Sequence, residues 1–275
     1  MWSPIREVID LALDTDNKHA SHILLIPFIT ATLIYWYRKA IFNSVQYSGA
    51  GAVVIALGLA LFAGGSLWTG PSAPNLLSLK ASSLVVMWLG GFLFFYGSAA
   101  FRAGLFPLLF LLLCIPFPPS ILDYTIAFLQ RGSAEMTYVL LKLSGTPVYR
   151  EGFVFAMPDL TIFVAPECSG IRSSISLFIL SILAGHLFLR SPWRWFVLMI
   201  VTIPLVIFKN AVRIGTLSLL TLHVDRGILS SRLHQEGGIP FFIVGLLMIY
   251  PVLMMLVKSE RKSMDANLIK REANL

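Results

Sequence analysis

Charged residues are scarce in this sequence: Asp, Glu, Lys and Arg make up 13% of the chain, whereas hydrophobic residues make up 57%. A soluble domain carries about 25% charged residues, so this composition excludes an ordinary water-soluble fold. The mean hydropathy of +0.80 indicates a protein whose solvent is the lipid bilayer.

Cysteine is almost absent too, because the chain has only Cys114 and Cys168. Two cysteines are too few for a disulfide framework, and they do not form a C-x-x-C redox pair, although one bridge between them stays open. A single cysteine with one or two histidines lacks the close ligand spacing of a zinc site. The sequence therefore predicts neither a metal nor another cofactor.

What the sequence does have is a series of apolar runs long enough to cross the roughly 30 Å hydrocarbon layer. They predict an all-α polytopic membrane protein with seven to eight transmembrane helices in one membrane domain, residues 1–275. The opening segment, with Ile5, Val8, Ile9, Ala12 and Leu13 at helical spacing, predicts an interfacial amphipathic helix or an eighth span. Its acids and bases, which precede any apolar run, argue against a cleaved signal peptide. The seven expected spans are about 22–37, 48–68, 82–101, 104–118, 170–189, 194–220 and 240–257.

The longest connection, residues 119–167, predicts an extracytoplasmic loop with two parts. Its first half has helical periodicity with few charges, which favours a helix at the interface or against the bundle. Its second half is β-branched and aromatic around Met157, Pro158 and Asp159, which predicts a small β-hairpin.

The basic residues give the chain a formal net charge of +7, but they cluster between apolar runs. This clustering is typical of topology signals rather than of a nucleic-acid surface, so no nucleic-acid partner is predicted. The positive-inside rule puts the side with the most span-flanking Lys and Arg in the cytoplasm, and with it the C-terminus. That side carries Arg38, Lys39, Arg102, Arg190, Arg194, Lys258, Arg261, Lys262, Lys270 and Arg271.

Three reactive residue types then fall on the outer face: Cys168, Arg213 and His234. The stretch FVAPECSGIRSS predicts that Cys168 lies in or beside the first turn of a helix, where free N–H groups and the macrodipole favour a thiolate. Ser169 and Gly170 keep the backbone open. Arg172, four residues on, is expected on the same face and adds to the effect, whereas Glu167 opposes it. The alternative interpretation of Cys168 is a small packing residue.

Arg213 lies within an apolar helix, where an arginine is costly unless it is paired or hydrated. Asn210 precedes it by three residues and shares its face. Arg213 is either a structural partner for an acid such as Glu167 or Glu236, or a donor that stabilises negative charge on a carbonyl oxygen.

A histidine on the same face has the pKa needed to take and return a proton near neutral pH. His234 and His223 share one outer loop, and position alone barely separates them. His19 and His22 flank the first span on the same side, and His186 falls near the inner end of its span. A thiol, a guanidinium and an imidazole together indicate nucleophilic acyl chemistry.

Three patches within residues 163–245 carry a family resemblance: APECSGIR at 165–172, NAVRI at 210–214 and HQEGGIPFF at 234–242. They resemble the signature patches of the exosortase/archaeosortase family, polytopic enzymes of bacterial and archaeal cytoplasmic membranes, and the resemblance covers roughly residues 145–245. It implies a transpeptidase or protease for exported proteins whose C-terminal sorting signal has a PEP-type motif, a membrane helix and a basic tail. It maps the nucleophile to Cys168, the invariant arginine to Arg213 and the invariant histidine to His234.

Two other functions are compatible with the same residues. A quinone-linked thiol oxidoreductase would pair Cys114 with Cys168, although the sequence lacks C-x-x-C. A transporter would hold an anionic substrate at Arg213 and Asn210. The sequence leaves open the sorting motif, the acceptor and the oligomeric state.

Overall fold

A computed structural model describes residues 2–13, 18–67, 73–158, 160–225, 227 and 238–272. The chain forms two compact units, Met1–Asp123 and Tyr124–Leu275, each of which is built mainly from helices. His234 and Glu236, both named from the sequence, lie outside the described residues.

The first unit, where it is described, consists of helices joined by short irregular segments. Its helices are α1 (Trp2–Leu13), α2 (Leu25–Ile41), α3 (Gly49–Leu67), α4 (Ala73–Ala103) and α5 (Leu105–Phe110), with 3-10 segments at Lys18–Leu24 and Leu111–Cys114. Buried glycines of α3 recur every seventh residue, at Gly51, Gly58 and Gly65. They face Phe94, Met87 and Leu79 of α4, which is how small residues bring two membrane helices close together.

Helix α1 is amphipathic, as its sequence predicts. Val8, Leu11 and Ala12 pack toward Ala20 and Ile23. Ile5, Ile9 and Leu13 are exposed along the other side of the helix. Such an unburied apolar stripe fits a helix that lies at a membrane interface.

Within the described residues, six helical segments are long and apolar enough to span a membrane, and the count is seven if the broken pair Leu105–Cys114 and Pro119–Leu143 forms one span. The span expected at 104–118 is therefore not one continuous helix. Its helical part ends at Cys114, because Pro116, Pro118 and Pro119 follow at once and proline breaks a helix interior. Ten helical residues reach only about 15 Å, half of the hydrocarbon layer.

The second unit contains most of α6 (Pro119–Leu143), the strands β1 (Tyr149–Glu151), β2 (Val154–Met157) and β3 (Leu160–Phe163), and a 3-10 turn at Pro166–Ser169. It continues with α7 (Ile171–Phe188), α8 (Pro192–His223) and α9 (Gly238–Glu272). Leu129 of α6, Leu177 of α7, Leu198 of α8 and Ile249 of α9 belong to one buried cluster. The four helices thus share an apolar core.

The strands form an antiparallel sheet in the order β1-β2-β3, which is one strand more than the hairpin expected around Met157. Tyr149 pairs with Ala156, and Phe155 pairs with Ile162. Phe155, which is 1% exposed, packs with Ala134 of α6 and Ile214 of α8. The sheet is therefore held on the helices by its central strand.

Candidate active site

Cys168 lies in the 3-10 turn that leads into α7. Its N–H donates to the carbonyl of Ala165 over 2.9 Å, and Pro166 opens the turn. Gly170 follows in the left-handed region, with φ 71°, and α7 begins only at Ile171. Cys168 is thus placed beside the helix start, and its side chain is half-buried.

The expectation that Cys168 and Arg172 share a helix face is wrong. Gly170 takes the left-handed conformation between them, and Cys168 and Arg172 do not belong to one continuous helix, so the spacing of four residues does not put them on one face. The Arg172 side chain is exposed and its Nη2 atom lies 3.4 Å from the position that a Cβ would take on Gly238, at the start of α9. Glu167, beside Cys168, is also exposed.

Cys168 and Arg213 line one cavity of about 260 Å³. One wall is a continuous run of β3 and the segment after it, from Thr161 to Ala165. The other is formed by one face of α8, Arg213, Ile214, Leu217 and Ser218. The guanidinium and the thiol interact electrostatically, so the tertiary structure brings together two residues that are 45 positions apart.

Asn210 fixes the turn that carries Cys168. Its side chain is fully buried, and Nδ2 donates to the carbonyl oxygen of Cys168 over 2.8 Å and to Ser133 Oγ over 3.0 Å. The Asn210 Oδ1 atom lies 2.5 Å from the position of a Cβ on Gly170. Asn210 and Gly170, both named from the sequence, therefore hold Cys168 in place rather than line the cavity.

Gln130 of α6 is a positioning residue that the sequence analysis missed. Its Nε2 donates to the carbonyl oxygen of Val164 over 2.7 Å, and both residues are buried. Val164 N–H donates to Phe153 O over 2.9 Å, so both backbone groups of Val164 are bonded four residues before Cys168. Gln130 carried no signal in the sequence, because a lone glutamine in a helical segment is ordinary.

Lys209 was also missed. It lies one turn before Arg213 on α8, is 1% exposed and donates through Nζ to Ser173 Oγ on α7. A buried lysine in an apolar helix is costly and marks a functional region by default. The run FKNAVR contains Lys209, Asn210 and Arg213, and this concentration of polar residues inside a span was the available signal.

The histidines of the second unit that the structure describes do not line the cavity. His223 ends α8, about 15 Å along the helix from Arg213. His186 lies near the far end of α7 from Cys168, with its ring 6.3 Å from that of Trp195.

Cys114 and Cys168 are both free thiols. Cys114 belongs to the first unit, where its Sγ lies 3.9 Å from the carbonyl oxygen of Ile23 and packs with the apolar cluster of Ala12 and Ala20. These contacts are those of a packing residue.

The structure defines the class as a multi-pass helical membrane protein, with a thiol and a guanidinium in one cavity. The comparison with protein families is more specific: a family model described as transmembrane exosortase (Exosortase_EpsH) matches residues 14–251. The chain belongs to the transmembrane exosortase family. No curated protein and no solved structure matches it.

Proposed function

We propose that this chain is a cysteine-dependent sorting protease or transpeptidase that cuts C-terminal sorting signals from exported proteins. The observation that carries the proposal is the shared cavity of Cys168 and Arg213, in a chain of the exosortase family. The substrate expected from the family carries a PEP-type motif, a membrane helix and a basic tail.

The proposed reaction begins with attack of the Cys168 thiolate on the scissile carbonyl carbon. A C–S bond forms, and Arg213 stabilises the negative charge that develops on the carbonyl oxygen. The C–N bond then breaks, and the leaving amine takes a proton, which leaves a thioester on Cys168. An amine acceptor or water attacks the thioester and restores the thiol.

His234 is assigned the proton transfer in this proposal on the strength of the family resemblance. It would hold the thiol proton after attack and donate it to the leaving amine. Arg213 favours the thiolate by its positive charge, whereas burial of the thiol works against ionisation.

The proposed setting is a bacterial or archaeal cytoplasmic membrane, with the cavity on the extracytoplasmic face. A substrate anchored by its own helix in the same bilayer presents the scissile bond at a fixed depth. This arrangement limits the diffusion of the substrate toward the enzyme to two dimensions and raises the effective concentration of the scissile bond at the cavity.

The test is co-expression with a tagged exported domain that ends in such a three-part signal, with processing followed by the size of the product. We expect wild type and Cys114→Ala to process the substrate, and Cys168→Ala and Cys168→Ser to leave it uncut. We expect Arg213→Gln to lower the rate by about 100-fold or more.

Each alternative function predicts a different result. Loss of processing in Cys114→Ala would indicate a dithiol reaction. Processing that survives both Cys168 substitutions would remove Cys168 as nucleophile, and a wild type that leaves the substrate uncut would contradict the proposed specificity.

A further inference from the structure

The edge of the small sheet that faces the cavity carries unused backbone groups. In the described part of the chain, β3 pairs with β2 on one side and with no strand on the other. Val164 N–H donates to Phe153 O, and the register continues through the pair Phe155–Ile162. Because hydrogen-bonded pairs alternate in an antiparallel ladder, the backbone N–H and C=O of Thr161 and the N–H of Phe163 point away from β2.

The cavity borders this edge rather than one face of the sheet. Every residue from Thr161 to Ala165 lines it. Consecutive side chains of a strand point to opposite faces, so an unbroken run of five lining residues requires that the backbone edge itself borders the space.

The open edge needs partners for its backbone groups. A row of unpaired N–H and C=O groups on a strand edge is a template for pairing with another chain. The α8 wall opposite β3 carries Arg213 and Ser218, which leaves a slot between a strand edge and a partly polar helix face.

We propose that β3 binds the substrate by strand addition, and this inference rests on the proposed function. An extended segment of the substrate next to the scissile bond pairs with Thr161 N–H and C=O and with Phe163 N–H. The chain continues past Val164 and Ala165 to Cys168, so pairing at β3 delivers the neighbouring carbonyl to the thiol and to Arg213.

Strand addition supplies affinity through the backbone, and specificity through pockets for alternate side chains. The protein side chains that alternate here are Thr161 and Phe163, both exposed, and Leu160 and Ile162, which pack toward the core. An extended peptide of varied sequence therefore fits the edge, while its alternate side chains meet the α8 wall.

The first experiment removes one backbone donor. Thr161→Pro deletes the outward N–H at an edge position, where proline is tolerated. Tyr149→Val, on β1 at the opposite edge of the sheet, is the control. With the tagged substrate that wild type processes, we expect Thr161→Pro to lower kcat/KM by about tenfold, mostly through KM. We expect Tyr149→Val to stay within about twofold of wild type.

A second measurement does not depend on the proline variant folding. A photo-crosslinking amino acid is placed at Thr161 in the Cys168→Ala background, and at Tyr149 as control, because Tyr149 is 70% exposed on β1 at the opposite edge. We expect substrate crosslinks at position 161 that exceed those at 149 at least tenfold.

Two results would overturn strand addition while the proposed function stands: equal processing by Thr161→Pro and wild type, or equal crosslinking at 161 and 149. In both cases wild type cuts the substrate and Cys168→Ala does not. Failure of wild type to cut it is a different result, which removes the proposed function and the docking mode together.

Discussion

At the residue scale, the candidate nucleophile depends on one backbone conformation. Gly170 has φ 71°, a region that side chains other than glycine enter at a cost of roughly 1–2 kcal/mol. It also lies against the Asn210 amide, which holds the carbonyl of Cys168. Gly170 therefore matters both for its backbone conformation and for the absence of a side chain.

These two effects can be separated with Gly170→Ala and Gly145→Ala. Gly145 has a similar φ of 77°, but a Cβ there meets nothing within 4 Å. We expect Gly145→Ala to lose about 1–2 kcal/mol of stability, measured by unfolding in detergent, and Gly170→Ala to lose more, because its Cβ would also displace the Asn210 amide. Only Gly170→Ala should also lose processing, because the displaced Asn210 releases the turn of Cys168. Equal processing by the two variants would contradict this role.

At the element scale, α6 supports the segment that leads to Cys168. The hydrogen bond from Gln130 to Val164 and that from Asn210 to Ser133 connect α6 to the segment before Cys168 and to α8. Thr137 Oγ1 adds a contact with the carbonyl of Ala211 at 3.4 Å. This helix, expected at an interface or against the bundle, packs against the bundle and also supports the site.

Gln130→Met tests this support, because methionine has a similar length and lacks the donor. It leaves the buried carbonyl of Val164 unpaired, so we expect a loss of about 1–3 kcal/mol in unfolding free energy together with slower processing. The neighbouring Arg131 is exposed on the same helix, and we expect Arg131→Met to stay within about 0.5 kcal/mol. Similar losses in both variants would argue against a specific role for Gln130.

At the scale of the whole molecule, the proposed function requires that the cavity opens to the outer side of the membrane. The distribution of basic residues predicts this orientation, with the C-terminal part of α9 in the cytoplasm. Because the chain has only two cysteines, Cys114→Ala with Cys168→Ala gives a cysteine-free background.

In that background, single cysteines at Tyr149 and Lys262 report the two sides. We expect Tyr149→Cys to react with a membrane-impermeant maleimide in intact cells, and Lys262→Cys to react only after permeabilisation. Both residues are exposed, so accessibility within the protein does not decide the result. The reverse labelling pattern would indicate the opposite topology, with the cavity on the cytoplasmic side.

The sequence by itself determined the class of the protein, and it singled out Cys168 and Arg213, which line one cavity in the structure. Runs of about 20 apolar residues are local properties of the sequence. They predict membrane spans directly, because a helix of that length matches the thickness of the bilayer. The polar groups near Cys168 and Arg213 stood out because polar groups in hydrocarbon are expensive. Gly170 has a positive φ, a conformation that glycine adopts without strain.

Only the tertiary structure decided how these residues meet. The support by Gln130 and the separation of Arg172 from Cys168 depend on a buried hydrogen bond and on one left-handed residue. The end of the helix at Cys114, by contrast, follows from Pro116, Pro118 and Pro119 and is a local property of the sequence. The third strand and its open edge beside the cavity arise from pairing between separate segments. Periodicity along a chain shows which face of an element is apolar. Which other element covers that face depends on packing in three dimensions.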